Sequence, residues 1–189
     1  MNLPNLLTII RMALVPVFIV FFYMGQGGAH IYIVLAFAVF LIASATDAVD
    51  GHIARKHDLI TNFGKLMDPL ADKVLATAAF IVFVHVGVVA AWMVIVILAR
   101  EFIITGLRGV AASEGVVIEA GMSGKLKTVF QLVAICLILF GMALDFGKMA
   151  GFGAFISVAG IVCLWIAVIF TVYSGIEYLW KGRNLLNLK

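Results

Sequence analysis

Charge is scarce in this chain. Of its 189 residues only 12% are charged, against 65% hydrophobic, and the mean hydropathy is +1.19. That balance excludes an ordinary soluble domain and indicates an integral membrane protein. The net charge of +3 is small and sits beside apolar spans rather than along a basic stripe, which argues against nucleic-acid binding. Cysteine is nearly missing as well. Cys136 and Cys163 both fall inside apolar runs and read as packed thiols, so no disulfide is implied. Ser/Pro-rich linkers, low-complexity tracts and internal repeats are lacking too, and residues 1–189 are expected to form a single domain.

What the chain does have is a series of six apolar segments, at about 5–24, 30–57, 62–86, 88–112, 122–144 and 151–180, joined by short connections. The expectation is an all-α membrane protein of six transmembrane helices. The first segment has its basic residue, Arg11, after an already apolar Leu6-Leu7-Thr8-Ile9-Ile10, unlike a cleaved signal peptide. It reads as a retained helix beginning near Asn5, with Arg11 at the membrane edge or facing a polar cavity. All Lys and Arg residues except Lys148 belong to the even-numbered connections and the chain ends. The positive-inside rule then puts both termini in the cytoplasm of a multi-pass cell-membrane protein.

Against this apolar background four carboxylates stand out. Asp47-Ala48-Val49-Asp50-Gly51-His52-Ile53-Ala54-Arg55 is followed eight residues later by Gly64-Lys65-Leu66-Met67-Asp68-Pro69-Leu70-Ala71-Asp72. On helices, spacings of three and four put Asp47 with Asp50, and Asp68 with Asp72, on one face each. Carboxylates at membrane depth cost roughly 2.5 to 3.5 kcal/mol apiece, so a positive partner must offset them. His52 and His57 form no spaced cluster and neither Cys is near, which disfavours zinc. An all-oxygen donor set suits Mg²⁺ or Mn²⁺, and four carboxylates can hold two such ions about 3.5 to 4 Å apart, as phosphoryl chemistry uses them. Pro69 removes a backbone donor between the second pair, so a kink is expected there. A cation-coupled transporter would also place acids in its membrane helices, and that reading stays open on the acids alone.

The full pattern, D-x2-D-G-x2-A-R-x8-G-x3-D-x3-D, resembles the signature of the CDP-alcohol phosphatidyltransferases, with every fixed position met. The resemblance implies a membrane enzyme that moves a phosphatidyl group from CDP-diacylglycerol to an alcohol, with CMP released and the site facing the cytoplasm. It implies that Asp47, Asp50, Asp68 and Asp72 bind two divalent cations, Mg or Mn, with Asp72 also accepting the substrate proton. Gly51, Arg55, Thr61, Asn5 and Thr8 would hold the CDP-diacylglycerol. Family members are often homodimers, and a homodimer is expected here.

Bland readings compete for several of these. Gly51 and Gly64 could serve close helix packing, and Arg55 could anchor a helix end. Asn5, Thr8 and Thr61 could be helix caps. Arg100, Arg108, Lys125 and Lys127 form a second basic set fit for an acceptor phosphate, although anchoring explains part of it and Arg100 has Glu101 beside it. The stretches around Arg100-Glu101, Arg108 and Lys125-x-Lys127 resemble family members that use glycerol 3-phosphate. Inositol phosphate or serine are the alternative acceptors. Glu177 with Lys181 reads as a helical ion pair, and the Trp and Tyr residues as interface or core aromatics.

Overall fold

The computed structural model describes residues 3–56, 62–113, 115, 121–145 and 149–182. They form six helices: α1 (Leu3–Gln26), α2 (Ile31–Lys56), α3 (Asn62–His85), α4 (Ala91–Ser113), α5 (Met122–Leu144) and α6 (Ala150–Gly182). Each matches an expected apolar segment to within about three residues. The connections use glycine where the chain must reverse, at Gly28 with φ +95° and Gly87 with φ +75°, a backbone region where a Cβ is disfavoured. α3 runs on through Pro69 as one helix.

Among the described residues, three stretches are long and apolar enough to cross a membrane: Leu6–Gln26, Met122–Leu144 and Gly151–Trp180. The expected six spans are thus met in part. Ile31–Thr46 of α2 and Lys73–His85 of α3 are shorter apolar stretches among the described residues. In α4 the apolar run is broken by Arg100, Glu101 and Arg108. Many large apolar side chains of α6 are exposed, among them Phe155, Ile169, Tyr173 and Trp180, as suits a helix surrounded by lipid.

Neighbouring helices alternate in direction. Phe18 of α1 meets Phe40 of α2 at 5.9 Å, and a Cβ on Gly25 would touch Ile33, so α1 and α2 are antiparallel. Phe22 meets Phe83 of α3 at 6.1 Å, which sets α1 parallel to α3. Trp92 meets Trp165 at 5.3 Å, and Arg100 meets Ser174 one end further on, so α4 and α6 are parallel.

The most extensive pairing is α5 on α6, where small residues let the backbones approach. A Cβ added to Gly141 would lie 2.6 Å from the Gly153 carbonyl oxygen, and one on Gly160 would lie 2.9 Å from the Ile138 nitrogen. The core gathers Phe18, Phe22, Phe40, Phe80 and Phe83 from α1–α3 with Ile135, Ile138, Leu139 and Leu164 from α5 and α6, all buried. Cys136 and Cys163 are unpaired and packed against this core. With the core at one end, alternation brings the start of α1, the end of α2, the start of α3, the end of α4, the start of α5 and the end of α6 together at the other.

Candidate active site

That other end carries both charged sets. Asp47, Asp50, Gly51 and Arg55 lie on the closing turns of α2, and Gly64, Asp68 and Asp72 on the opening turns of α3. Continuous helix at both places preserves the three- and four-residue spacings that align each pair. The side chains of the four Asp, of Arg55 and of Asn5 lie outside the described residues, as does Thr61 entirely.

Thr8 and Arg11 belong to the buried stripe of α1, which continues through Val15, Phe18 and Phe22, and both are 0% exposed. Arg11 therefore points into the bundle rather than onto its surface. Two turns before Phe18, the antiparallel register with Phe40 carries Arg11 to the level of Asp47 on α2. Three turns before Phe22, the parallel register with Phe83 carries it to the level of Asp72 on α3. A cation thus stands at the depth where the acids need one, a residue the linear sequence left ambiguous.

The second basic set converges. Arg100, Arg108, Lys125 and Lys127 line one cavity of about 440 Å³ with Glu101, Thr128 and Tyr178. Arg100 is committed to the fold. Its Nε donates to Ser174 Oγ at 3.1 Å, its Nη1 lies 3.4 Å from Glu101 Oε1, and its guanidinium sits 5.6 Å over the Tyr178 ring. Gly124 lies close against it, since a Cβ there would stand 3.3 Å from the guanidinium.

Lys127, 3% exposed, forms an ion pair with Glu101. Glu101 also lies 3.7 Å from Lys73 Nζ, which donates to Thr105 at 2.5 Å. A carboxylate that draws together cations from α3, α4 and α5 was not among the expected site residues. Its position held a clue: Glu101 falls four residues after buried Ile97 and three before buried Ile104, on the inward face of α4. Among the described residues Arg108 and Lys125 have no ion-pair partner, which leaves two cations available to an anion. Glu177 accepts a hydrogen bond from Ser123 Oγ at 2.7 Å and so ties α6 to the start of α5.

A second cavity, of about 650 Å³, adjoins the first. It is lined mainly by apolar side chains of α1, α3, α4 and α5, and shares Glu101, Lys127 and Thr128 with the cationic cavity. Lys73, next in the chain after Asp72, lies at this junction. Among the described residues no three His, Cys, Asp or Glu groups are placed to hold a metal. The four-Asp motif, whose side chains are not among those described, offers carboxylate oxygens, the donor chemistry that hard divalent cations take.

Comparison with known proteins agrees with this arrangement. The CDP-alcohol phosphatidyltransferase family model matches residues 1–173. The chain is 43% identical to "CDP-diacylglycerol--glycerol-3-phosphate 3-phosphatidyltransferase" of Bacillus subtilis, over 98% of this chain and 97% of that one. Relatives of the same name in Rickettsia typhi and Haemophilus influenzae are 38% and 34% identical, the first over 94% of both chains, the second over 100% of this chain and 98% of its own. With a signature motif that is complete and a family match over nearly its whole length, the chain belongs to the CDP-alcohol phosphatidyltransferase family and is a membrane enzyme.

Proposed function

We propose that the protein transfers the phosphatidyl group of CDP-diacylglycerol to sn-glycerol 3-phosphate, forming phosphatidylglycerophosphate and CMP in phospholipid synthesis. The observation that carries the choice of acceptor is the cationic cavity, where Arg108 and Lys125 have no described ion-pair partner and can clamp a phosphate dianion. The named relatives support the same choice.

In this reading Asp47, Asp50, Asp68 and Asp72 hold two divalent cations, Mg²⁺ or Mn²⁺. Such ions, when bound, neutralise the pyrophosphate and acidify the acceptor hydroxyl. Arg108 and Lys125 orient the acceptor through its phosphate. Asp72 takes the hydroxyl proton as the oxygen forms its bond to the lipid-side phosphorus. The bond from that phosphorus to the CMP oxygen breaks, and CMP departs with the electron pair. Arg55 suits a bidentate grip on the pyrophosphate, Gly51 a close approach of the nucleotide, and Asn5, Thr8 and Thr61 polar contacts to it. Thr8, being fully buried, would act from within the helix contact.

The basic residues gathered at one bundle end support six spans with that end and both termini cytoplasmic, in the cell membrane. A homodimer completes the proposal, by likeness to the family. The test is CMP release from CDP-diacylglycerol by the purified protein, with glycerol 3-phosphate, inositol phosphate, serine and glycerol as acceptors. Glycerol 3-phosphate should be used best; a preference for serine or inositol phosphate refutes the acceptor while leaving the family in place.

A further inference from the structure

Gln131 is a polar residue in an apolar place. It lies on α5 one turn beyond Lys127, is 8% exposed, and lines the 650 Å³ cavity. Its side-chain nitrogen Nε2 is buried with no hydrogen-bond partner. A buried amide nitrogen without a partner costs free energy that a Leu or Met there would not, so a fold alone gives no reason to keep it. The cavity around it has the complementary need. From Lys73 the α3 wall runs through Val74, Thr77 and Phe80 to Ile81, roughly 12 Å at 1.5 Å per residue. Leu70, Ile81 and Phe102 on its rim are exposed apolar residues, so its mouth opens on the side of the bundle that meets lipid.

The vertical order of groups matches a glycerolipid. At the junction of the two cavities stand Lys73, Glu101 and Lys127, level with charged headgroup chemistry. One helical turn deeper, roughly 6 Å, comes the Gln131 donor, and beyond it a wall that is apolar apart from Tyr23. In a diacylglycerol phosphate the ester carbonyls follow the phosphate by a similar step, and the hydrocarbon follows them.

We infer that this cavity receives the diacylglycerol part of the lipid substrate and that Gln131 Nε2 donates a hydrogen bond to an ester carbonyl, which makes Gln131 a specificity-determining residue for acyl over alkyl glycerolipids. The inference rests on the proposed use of CDP-diacylglycerol. It adds a discrimination within that lipid substrate to the roles proposed for the motif residues.

The experiment compares CMP release from CDP-diacylglycerol and from its dialkyl ether analogue, each with glycerol 3-phosphate, using the full-length wild type and Gln131→Leu. A net hydrogen bond corresponds to about threefold to tenfold, so the wild type should favour the ester by that factor in kcat/KM. Gln131→Leu should lose the preference, keep the wild-type acceptor KM, and melt no lower than the wild type because an unpartnered amide has been removed. Should the Leu variant fail to fold, Gln131→Met, which keeps the length without the donor, decides in the same way. Equal use of ester and ether by the wild type overturns the inference, as does a preference that survives the substitution. Absence of CMP release from either lipid overturns the proposed function together with the inference resting on it.

Discussion

The contact between α5 and α6 sets how far Lys125 and Lys127 stand from Tyr178 and Ser174, so closing or opening it tests the architecture of the site. Gly141→Ala would put a Cβ 2.6 Å from the Gly153 carbonyl oxygen and 2.7 Å from the Ser157 nitrogen. Both are backbone atoms and cannot rotate away. Ordinary contact begins near 3.4 Å, so the helices must separate by about 0.8 Å, the difference between 3.4 and 2.6. A gap of that size forfeits a quarter to a half of the dispersion energy along the seam. Overpacking of this kind costs about 1 to 3 kcal/mol.

Gly109→Ala in α4 and Gly151→Ala in α6 are the controls, because a Cβ at either meets nothing within 4 Å. There alanine should be neutral or should stabilise by up to about 1 kcal/mol through helix propensity. Thermal unfolding of the purified variants in detergent, followed by tryptophan fluorescence, should rank Gly141→Ala clearly below both controls. A melting temperature for Gly141→Ala equal to that of Gly109→Ala would refute the close-packed seam.

Other expectations concern the chemistry. Arg108→Ala and Lys125→Ala should each raise the KM for glycerol 3-phosphate about tenfold to a hundredfold, as loss of a charged hydrogen bond of roughly 1.5 to 3 kcal/mol requires, with the KM for CDP-diacylglycerol little changed. Unchanged acceptor KM in both removes them from the acceptor site. Glu101→Gln leaves Lys127 buried without its carboxylate and should lower stability by about 3 to 5 kcal/mol, while the double variant with Lys127→Met should recover much of the loss. Strictly additive losses in thermal melts would contradict direct coupling. Chelation should abolish CMP release and Mg²⁺ or Mn²⁺ restore it, and Asp72→Asn should lose most turnover while still binding the nucleotide lipid. Full activity in chelator, or in Asp72→Asn, would remove the metals or the base, respectively. A cysteine at Gly27 should react with an impermeant thiol reagent from outside intact cells and one at Ser113 only after permeabilisation; the reverse pattern inverts the topology.

The helices were legible because each is an apolar run bounded by glycine or charge, and such runs report their own ends. The four-carboxylate motif was legible because its spacing fits continuous helix, which α2 and α3 provide. Partners across the bundle were another matter. Sequence shows Arg100 next to Glu101, yet the carboxylate also engages Lys127 and Lys73, from helices whose packing no local pattern states. Glu177 was expected to pair with Lys181 one turn on, whose side chain lies outside the described residues; Ser123, distant in the chain, also donates to it. Nor does the sequence point to the close approach of α5 and α6 at Gly141, Gly153 and Gly160. It is shared between two helices, so a search for repeats within one helix does not find it.

The shared level of Arg11 and Asp47 has a consequence for biogenesis. Taken singly, α1 would carry a cation into hydrocarbon and α2 an anion, each at roughly 2.5 to 3.5 kcal/mol. Taken together they can enter the bilayer as a hairpin whose opposite charges arrive at one depth. The chain is shaped for that route: Gly28 takes the left-handed conformation of a tight reversal, and Gly25 lets Ile33 close against α1 immediately after it. Inserted as such a pair, the first two helices would offset each other's charge at one level, ahead of the third helix that carries Asp68 and Asp72.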